Sequence, residues 1–148
     1  MTLAYRVATT EDVSMLARMN QELTEDEGHS NRFQPESWFA ERMGGFLAAE
    51  YTAIIFELSN EPVAYALYRP HADRDDSLYL RQLYVTRDKR RQGIGRAAMR
   101  LLREEIWPPD KRITVEALSG NANARAFYSA VGFSEYCIEY ELEPPAES

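Results

Sequence analysis

The chain has 148 residues, of which 45% are hydrophobic, and this is enough for one domain with its own core. Its formal net charge of −7 argues against nucleic acid as the main partner, because phosphate binding favours a positive face. A single cysteine, Cys137, excludes an internal disulfide, and both histidines lie in polar stretches, so no metal site is expected. The sequence opens without an apolar signal segment and has no run of about 18 apolar residues, which predicts a cytoplasmic protein without membrane contact.

The pattern of apolar residues predicts alternating strands and helices along the chain. Thr10 can cap the first helix, and Pro35 occupies the first-turn position that is favoured at the start of the second. The segment Ser59-Asn60-Glu61-Pro62 is typical of a hairpin. The predicted elements are a strand at 5–8, helices at 10–23 and 35–50, strands at 51–58, 63–68 and 78–85, a helix at 94–106, a strand at 113–118, a helix at 121–130 and a strand at 133–142.

The helix that begins at Ile94 has the clearest pattern. Its apolar positions form one stripe with the periodicity of an α-helix, and Pro108-Pro109 ends it. An early hairpin followed by alternating strands and helices predicts an α/β fold, with a mixed sheet and helices on both faces. We expect one domain over residues 1–148, with a polar tail from about residue 143.

Residues 90–95, RRQGIG, join a strand to this helix and predict a cradle for a phosphate group. Glycines at 93 and 95 permit a sharp turn that exposes main-chain N–H groups, and the helix adds the partial positive charge of its first turn. Seven basic side chains and one acid, Asp88, lie between residues 87 and 103, a local concentration that suits one small anionic ligand. The alternative interpretation is an ordinary strand-to-helix turn followed by a solvated arginine face.

Two segments together resemble the GCN5-related N-acetyltransferase (GNAT) superfamily, whose enzymes depend on acyl-CoA. Residues 80–97, LRQLYVTRDKRRQGIGRA, contain the family's strand, its Arg/Gln-x-x-Gly-x-Gly/Ala loop with Arg90 first, and the following helix. Residues 115–133, VEALSGNANARAFYSAVGF, match the family's Glu-Val-x-x-x-Asn-x-x-Ala-x-x-x-Tyr-x-x-x-Gly-Phe run. The resemblance implies a mostly antiparallel sheet with a V-shaped splay between the fourth and fifth strands, and acetyl-CoA as cosubstrate.

By the same resemblance, unpaired main-chain groups at the splay bind the extended arm of the cosubstrate as though it were another strand. An N–H near Leu83 and Tyr84 would bond the acyl oxygen, and amides from Arg91 to Arg96 would bind the pyrophosphate. Packing in an ordinary core strand also explains Leu83 and Val85. The implied cofactor-binding residues are Leu83, Tyr84, Val85, Arg90, Arg91, Gln92, Gly93, Ile94, Gly95, Arg96 and Asn121.

The second segment supplies two candidates that share a helix face. Asn121 is implied to bond the cofactor arm, although N-capping explains this residue equally well. Tyr128, seven residues further on, is implied to protonate the departing thiolate. A phenol with a pKa of about 10 and a thiol with a pKa of about 8.5 are nearly matched for this transfer. The alternative for Tyr128 is a core aromatic residue beside Phe127.

Glu116 is the candidate base that takes the proton from the attacking ammonium, because relatives in the family carry a glutamate at this place. Alternation along the strand directs its side chain away from the face of Val115. Many members instead place a glutamate on the strand before the cradle, where this sequence has Arg81-Gln82. A water chain therefore remains an alternative base, and a solvent-facing carboxylate remains the alternative interpretation of Glu116.

The acceptor leaves few signs in the sequence. Acidic groups at 22, 25–27, 73, 75 and 76 would favour a cationic amine at a cleft mouth, or they are merely solvated helix ends and loops. Aromatic side chains at 33, 38, 65 and 68 either line an acceptor pocket or pack in the core.

The predicted function is transfer of an acetyl group from acetyl-CoA to a primary amine of a small molecule or peptide, by direct attack in a ternary complex. A covalent acyl-enzyme is not expected, since Cys137 lies away from both segments. Two alternatives are a non-catalytic acyl-CoA-binding or sensor protein on the same fold, and a small nucleic-acid binder that uses residues 87–103. The expected partners are acetyl-CoA and an amine, without nucleic acid or membrane, and the resemblance allows a homodimer.

Overall fold

A mixed sheet lies at the centre of the larger of two compact units in the structure, a computed structural model that describes residues 2–146. One unit ends at Glu116 and the other begins at Ala117. The strands are β1 (Ala4–Val7), β2 (Thr52–Leu58), β3 (Glu61–Pro70), β4 (Ser77–Val85) and β5 (Arg112–Val115). The helices are α1 (Val13–Asp26), α2 (Glu36–Ala48), α3 (Ile94–Leu101) and α4 (Ala122–Ala130). Short helical turns occupy Thr10–Asp12, Ser30–Phe33, Arg87–Lys89 and Leu102–Ile106.

Within the described residues the five strands follow the order β1-β2-β3-β4-β5. Neighbours from β1 to β4 are antiparallel, whereas β4 and β5 are parallel. A parallel pair needs a crossover connection, which α3 supplies. The predicted α/β fold, with a mixed and mostly antiparallel sheet, is confirmed.

Helices cover both faces of the sheet, as predicted. Tyr65 and Leu67 of β3 belong to a buried cluster with Leu16 of α1 and Met43 of α2. The side chain of Tyr68 lies on the opposite face of the same strand. Its ring packs edge to face against Trp107, with 5.7 Å between the ring centres. Because Trp107 follows α3, that helix covers the second face.

The α3 segment buries half of its predicted stripe of six residues, and the other three, Ala97, Leu101 and Ile106, are half-buried. Ile94, Ala98 and Leu102 are buried, and Met99 joins them. The regular α-helix ends at Leu101, and the chain continues through one turn of π-helix before the two prolines.

The helical turn that leads into α1 is capped one residue earlier than predicted. Thr9, not Thr10, is the cap: its hydroxyl accepts the Glu11 N–H at 3.3 Å, and the Asp12 carboxylate accepts the Thr9 N–H at 2.8 Å. This reciprocal capping box requires an acid three residues after the cap, and Thr10 has Val13 at that distance.

The predicted hairpin between β2 and β3 is confirmed. Ser59 and Asn60 both have positive φ, 50° and 66°, which is the conformation of a two-residue type I′ turn. Its twist matches that of the flanking strands, so β3 begins directly at Glu61.

The predicted strand at 133–142 is wrong. Between α4 and residue 146 the structure has no strand, and Tyr136, Ile138, Tyr140 and Leu142 are exposed. Their alternation with polar residues is the pattern of a half-buried strand, but a strand also needs main-chain pairing with a neighbour. β5 is likewise shorter than predicted, since it ends at Val115.

Candidate active site

A splay between β4 and β5 opens one edge of β4. The two strands pair from Ser77 with Arg112 to Leu80 with Val115, where β5 ends. β4 continues to Val85, and beyond Leu80 it pairs with β3 and with no other described strand. This is the V-shaped opening that the sequence predicted between the fourth and fifth strands.

A bulge in β4 coincides with the start of the splay. Leu67 of β3 pairs with Gln82, but its neighbour Tyr68 pairs with Leu80, so Arg81 is the extra residue. A bulge increases the local twist and bends the strand. The bend accounts for the loss of contact between β4 and β5 just beyond Leu80.

Main-chain groups of β4 beyond the bulge face the open edge. The Thr86 N–H donates to the Val63 carbonyl at 2.9 Å, and bonded and non-bonded pairs alternate along an antiparallel ladder. The amide and carbonyl groups of Val85 and Leu83 therefore point away from β3, while those of Tyr84 point toward it. Of the three predicted residues, Leu83 and Val85 are the two that can present main-chain groups to an extended ligand.

The cradle turns at Arg91 and Gly93, whereas Gly95, the second glycine of the predicted turn, lies within α3 and has no positive φ. Arg91 and Gly93 have φ of 64° and 77°, and α3 begins directly afterwards. The Ala97 N–H bonds to the Gly93 carbonyl at 3.0 Å, so the amides of Ile94, Gly95 and Arg96 precede the first helical bond. These are the donors that an anion at a helix N-terminus uses.

Gly93 is needed for its conformation. A Cβ built on Gly93 would meet nothing within 4 Å, but the positive φ disfavours any other residue. The open space is the place where an anion would approach the amides.

Two arginines of the basic stretch tie the loop to α1. Arg90 donates to Asp26 at 2.5 Å and to the Val85 carbonyl at 3.1 Å, and Arg87 donates to Glu25 and to Asp26. The arginines at 91 and 96 are exposed beside the cradle. The side chain of Arg90 thus positions the loop, and its predicted contact with the cosubstrate remains a prediction.

The acids of α1 are partners of these arginines. Burial opposes ionisation of Asp26, but hydrogen bonds from Arg90 and Arg87 outweigh it and hold the pKa of Asp26 below its ordinary value. The Tyr84 hydroxyl donates a hydrogen bond to the Glu22 carboxylate at 3.1 Å. Burial, and then the charge of Glu22, raise the pKa of Tyr84, so the phenol keeps its proton. The carboxylates at 22, 25 and 26 are therefore already compensated inside the protein.

A buried polar chain crosses the face under α1. Asn20 Nδ2 donates to the Tyr65 hydroxyl at 3.2 Å, and that hydroxyl donates to Gln82 Oε1 at 2.8 Å. Burial raises the pKa of Tyr65, so the phenol remains a donor at neutral pH. Tyr65 belongs to the core, and Gln82 fixes β4 beside its bulge.

Glu116 follows β5 directly and is exposed. Thr114 pairs with Tyr79, and Glu116 is two residues further on the same face. Burial, and then the charge of Glu116 and a hydrogen bond to it, raise the pKa of Tyr79, while the charge of Arg81 opposes the shift. Tyr79 therefore lies in the field of the predicted base's carboxylate, a proximity that sequence patterns had not indicated.

The second unit contains the other two candidates. Asn121 caps α4, since its Oδ1 accepts the Ala124 N–H at 3.1 Å. Tyr128 is half-buried, with its ring edge to face against Phe127 at 5.3 Å and Phe133 at 5.4 Å. The local geometry supports the capping alternative for Asn121, and the catalytic role of Tyr128 remains a prediction.

Comparison with known proteins identifies the class of enzyme. The sequence model described as "Acetyltransferase (GNAT) family" matches residues 14–133, and the chain therefore belongs to this family of acetyl-CoA-dependent acetyltransferases, EC 2.3.1. No curated protein gives a significant match to the sequence.

Three solved structures illustrate the shared fold. A possible acetyltransferase from Clostridium difficile 630 is 18% identical, with a TM-score of 0.75 over 99% of this chain and 100% of the other. An acetyltransferase from Thermus thermophilus is 20% identical, with a TM-score of 0.76 over 90% and 88%. A predicted acetyltransferase from Clostridium acetobutylicum, solved with acetyl-CoA, is 22% identical, with a TM-score of 0.71 over 96% of both chains.

Two further features bear on the sequence predictions. No helix in the described part of the chain is both long and apolar enough to cross a membrane. Among residues 2–146 no three His, Cys, Asp or Glu side chains converge where a metal ion could bind. That the reaction needs no metal, that the protein is cytoplasmic and that it forms a dimer remain predictions.

Proposed function

We propose that this enzyme transfers the acetyl group of acetyl-CoA to a primary amine of a small molecule or peptide, by direct attack in a ternary complex. The observation that carries the proposal is the path along β4. An open strand edge at Leu83 and Val85 leads through the bend of the chain to the cradle at the start of α3. An extended arm that ends in phosphate groups matches this path, because it needs strand-like hydrogen bonds first and anion-binding amides next.

The residues of the cradle have separate tasks in this proposal. The amides from Arg91 to Arg96 bind the pyrophosphate, with Gly93 providing the turn. Arg90 and Arg87 hold the loop against α1 through Asp26. Asn121 can serve two roles, because its side-chain NH₂ can contact the arm while its oxygen caps α4.

The chemical step divides among three groups. The thioester supplies an acyl carbon that an amine can attack and a thiolate that leaves as the C–S bond breaks. The Leu83 N–H, at the open edge, is the donor to the acyl oxygen as negative charge develops there. Glu116 accepts a proton from the amine, and Tyr128 donates a proton to the thiolate. The proton count is balanced, because one group gains the proton that the other loses.

Glu116 lies close to the half-buried Tyr79. The charge of Glu116 raises the pKa of this phenol, and Tyr79 pairs with Thr114, two residues before Glu116. Exposure gives the carboxylate an exit for its proton after each cycle.

The test is release of free thiol from acetyl-CoA in the presence of an amine panel that contains polyamines, amino acids, aminoglycosides and N-terminal peptides. Initial velocities at several concentrations of both substrates distinguish the mechanisms: intersecting double-reciprocal lines are expected for a ternary complex. Parallel lines would indicate an acyl-enzyme and contradict direct attack. Saturable CoA binding without thiol release for any amine would favour the sensor alternative.

A further inference from the structure

Three arginines on the α1–α2 face of the sheet are stacked on aromatic rings close to the β4 bulge. They form, with those rings, what we term the arginine–aromatic cluster. Its members are Trp38, Arg42 and Phe46 of α2, Tyr51 before β2, Arg69 of β3 and Arg81 of β4.

Each guanidinium lies within cation–π distance of at least one aromatic ring. The Cζ atom of Arg81 lies 4.9 Å from the centre of the Phe46 ring and 5.8 Å from that of Tyr51, and its Nη1 donates to the Tyr51 hydroxyl at 3.0 Å. The Cζ atom of Arg42 lies 5.5 Å from the Phe46 ring centre, and that of Arg69 lies 5.4 Å from the Tyr51 ring centre. A ring on the flat face of a guanidinium leaves its N–H edges free to bond, and it reduces the entropy lost when they do.

The three guanidinium groups of the cluster form no ion pair with a carboxylate of the described residues. Within residues 2–146 no carboxylate lies within 4.0 Å of the three guanidinium groups. Burial and the neighbouring charge of Arg81 lower the pKa of Arg42, while Tyr65 and the carboxylate of Glu27 act against this shift. Arg69 Nε is buried without a hydrogen-bond partner in the same part of the chain. The protein thus holds a fixed positive site although its net charge is −7.

The cluster borders the proposed reacting groups. Arg81 is the bulge residue itself, two positions before Leu83. The charges of Arg81 and Glu116 both act on Tyr79. The positive site and the proposed base therefore share one face of the sheet.

We infer that the arginine–aromatic cluster binds a carboxylate of the acceptor, so that the substrate is an amine that also carries an acid group, such as a free amino acid. The inference rests on the proposed function, whose acceptor it specifies. The planar fork of arginine matches the two oxygens of a carboxylate. A polyamine or aminoglycoside would instead bring positive charge against three guanidinium groups without an ion pair, and Glu22, Glu25 and Asp26 are already paired with Arg87 and Arg90.

The experiment compares matched acceptors that differ only in charge. Amino acids of different length and side chain (phenylalanine, glutamate, lysine, β-alanine and γ-aminobutyrate) are assayed beside their carboxamides, with spermidine and O-phosphoethanolamine as further arms. At least one free acid is expected to exceed its carboxamide by about 10-fold or more in kcat/KM, the size of one charge-assisted hydrogen bond. Equal use of acids and carboxamides, or preference for spermidine or O-phosphoethanolamine, would overturn the inference.

Variants locate the effect in the cluster. Arg81→Gln is expected to raise KM for the preferred acid by about 10-fold or more, and to change KM for the carboxamide by a clearly smaller factor. Arg42→Gln should act in the same direction, and Arg81→Lys should restore part of the affinity because it keeps the charge but not the fork. Arg18→Gln, at an exposed position of α1, is the matched control and should change neither KM. Equal losses for acid and carboxamide in Arg81→Gln would contradict anion recognition.

A binding measurement makes the inference independent of turnover. The N-acetyl derivatives of the same acids and carboxamides are titrated calorimetrically into the wild type and Arg81→Gln. Binding of an acid that weakens about 10-fold in the variant, with CoA affinity unchanged, supports the inference. No difference between acid and carboxamide would refute it, even if acetyl transfer is found. If no amine released thiol, the proposed function would be contradicted, but the calorimetric comparison of acid and carboxamide would still test carboxylate binding by the cluster.

Discussion

Replacing Gly93 separates the strain of a left-handed residue from the loss of the cradle. At φ 77° a residue with a Cβ costs about 1–2 kcal/mol, and the open space around Gly93 adds no clash in the free protein. Gly93→Ala should therefore lower the free energy of unfolding by about 1 kcal/mol, and Gly93→Val by about 2 kcal/mol. For a domain of this size that corresponds to a decrease in Tm of about 2–4 °C per kcal/mol.

The effect on CoA should be larger than the effect on folding. At a 100-fold excess over its Kd, CoA should stabilise the wild type by about 2.7 kcal/mol in a thermal-shift assay. A side chain at Gly93 enters the space in which the phosphate approaches the amides of Ile94 and Gly95, so this stabilisation should disappear in Gly93→Val. Gly93→Asn sharpens the test, because asparagine tolerates the left-handed region yet still fills the space.

The chain supplies a matched control at Gly28. Its φ is 66°, and a Cβ there would also meet nothing within 4 Å. Gly28→Ala should lose the same stability as Gly93→Ala while keeping the full shift with CoA. If folded Gly93→Val or Gly93→Asn retained that shift, the amides at the start of α3 would not be the phosphate site.

Three further changes test the other groups. Tyr128→Phe should lower kcat by about 100-fold with CoA affinity unchanged, and an unaltered kcat would leave Tyr128 as a packing residue. Glu116→Gln should reduce kcat/KM most near neutral pH and less as the pH rises and the amine arrives unprotonated; a constant loss at every pH would indicate positioning instead. Asp26→Asn should lower the free energy of unfolding by about 0.5–1 kcal/mol at pH 7. The value is small because solvent screens the partly exposed ion pairs of Asp26 with Arg87 and Arg90. The pKa of Asp26 is lowered on folding, so the difference in unfolding free energy between wild type and Asp26→Asn should vanish as the pH falls below the folded-state pKa. Urea titrations at several pH values measure it, and a difference that persisted at low pH would exclude the ion pairs as its cause.

Local patterns determined the elements whose signals are local. The stripe of α3 follows from side chains at helical spacing, and the turn at Ser59 and Asn60 follows from residue types that suit the hairpin. The left-handed Gly93 was indicated in the same way, because glycine before a helix with a basic first turn has few other uses. The family motifs then supplied the splay, which no single residue predicts.

Tertiary structure alone decided which groups meet. Residues 133–142 alternate as a strand should, but pairing with a neighbour is a property of the assembled sheet, and it is not made. The sequence shows acids in α1 and a basic stretch after β4, yet only the fold brings Asp26 to Arg90, 64 residues away. Arg42, Arg69 and Arg81 lie on three elements, and each is ordinary in its own segment. Their common charge becomes visible once the sheet and α2 place them against the same rings, because electrostatic interactions depend on distance in space and not on separation along the chain.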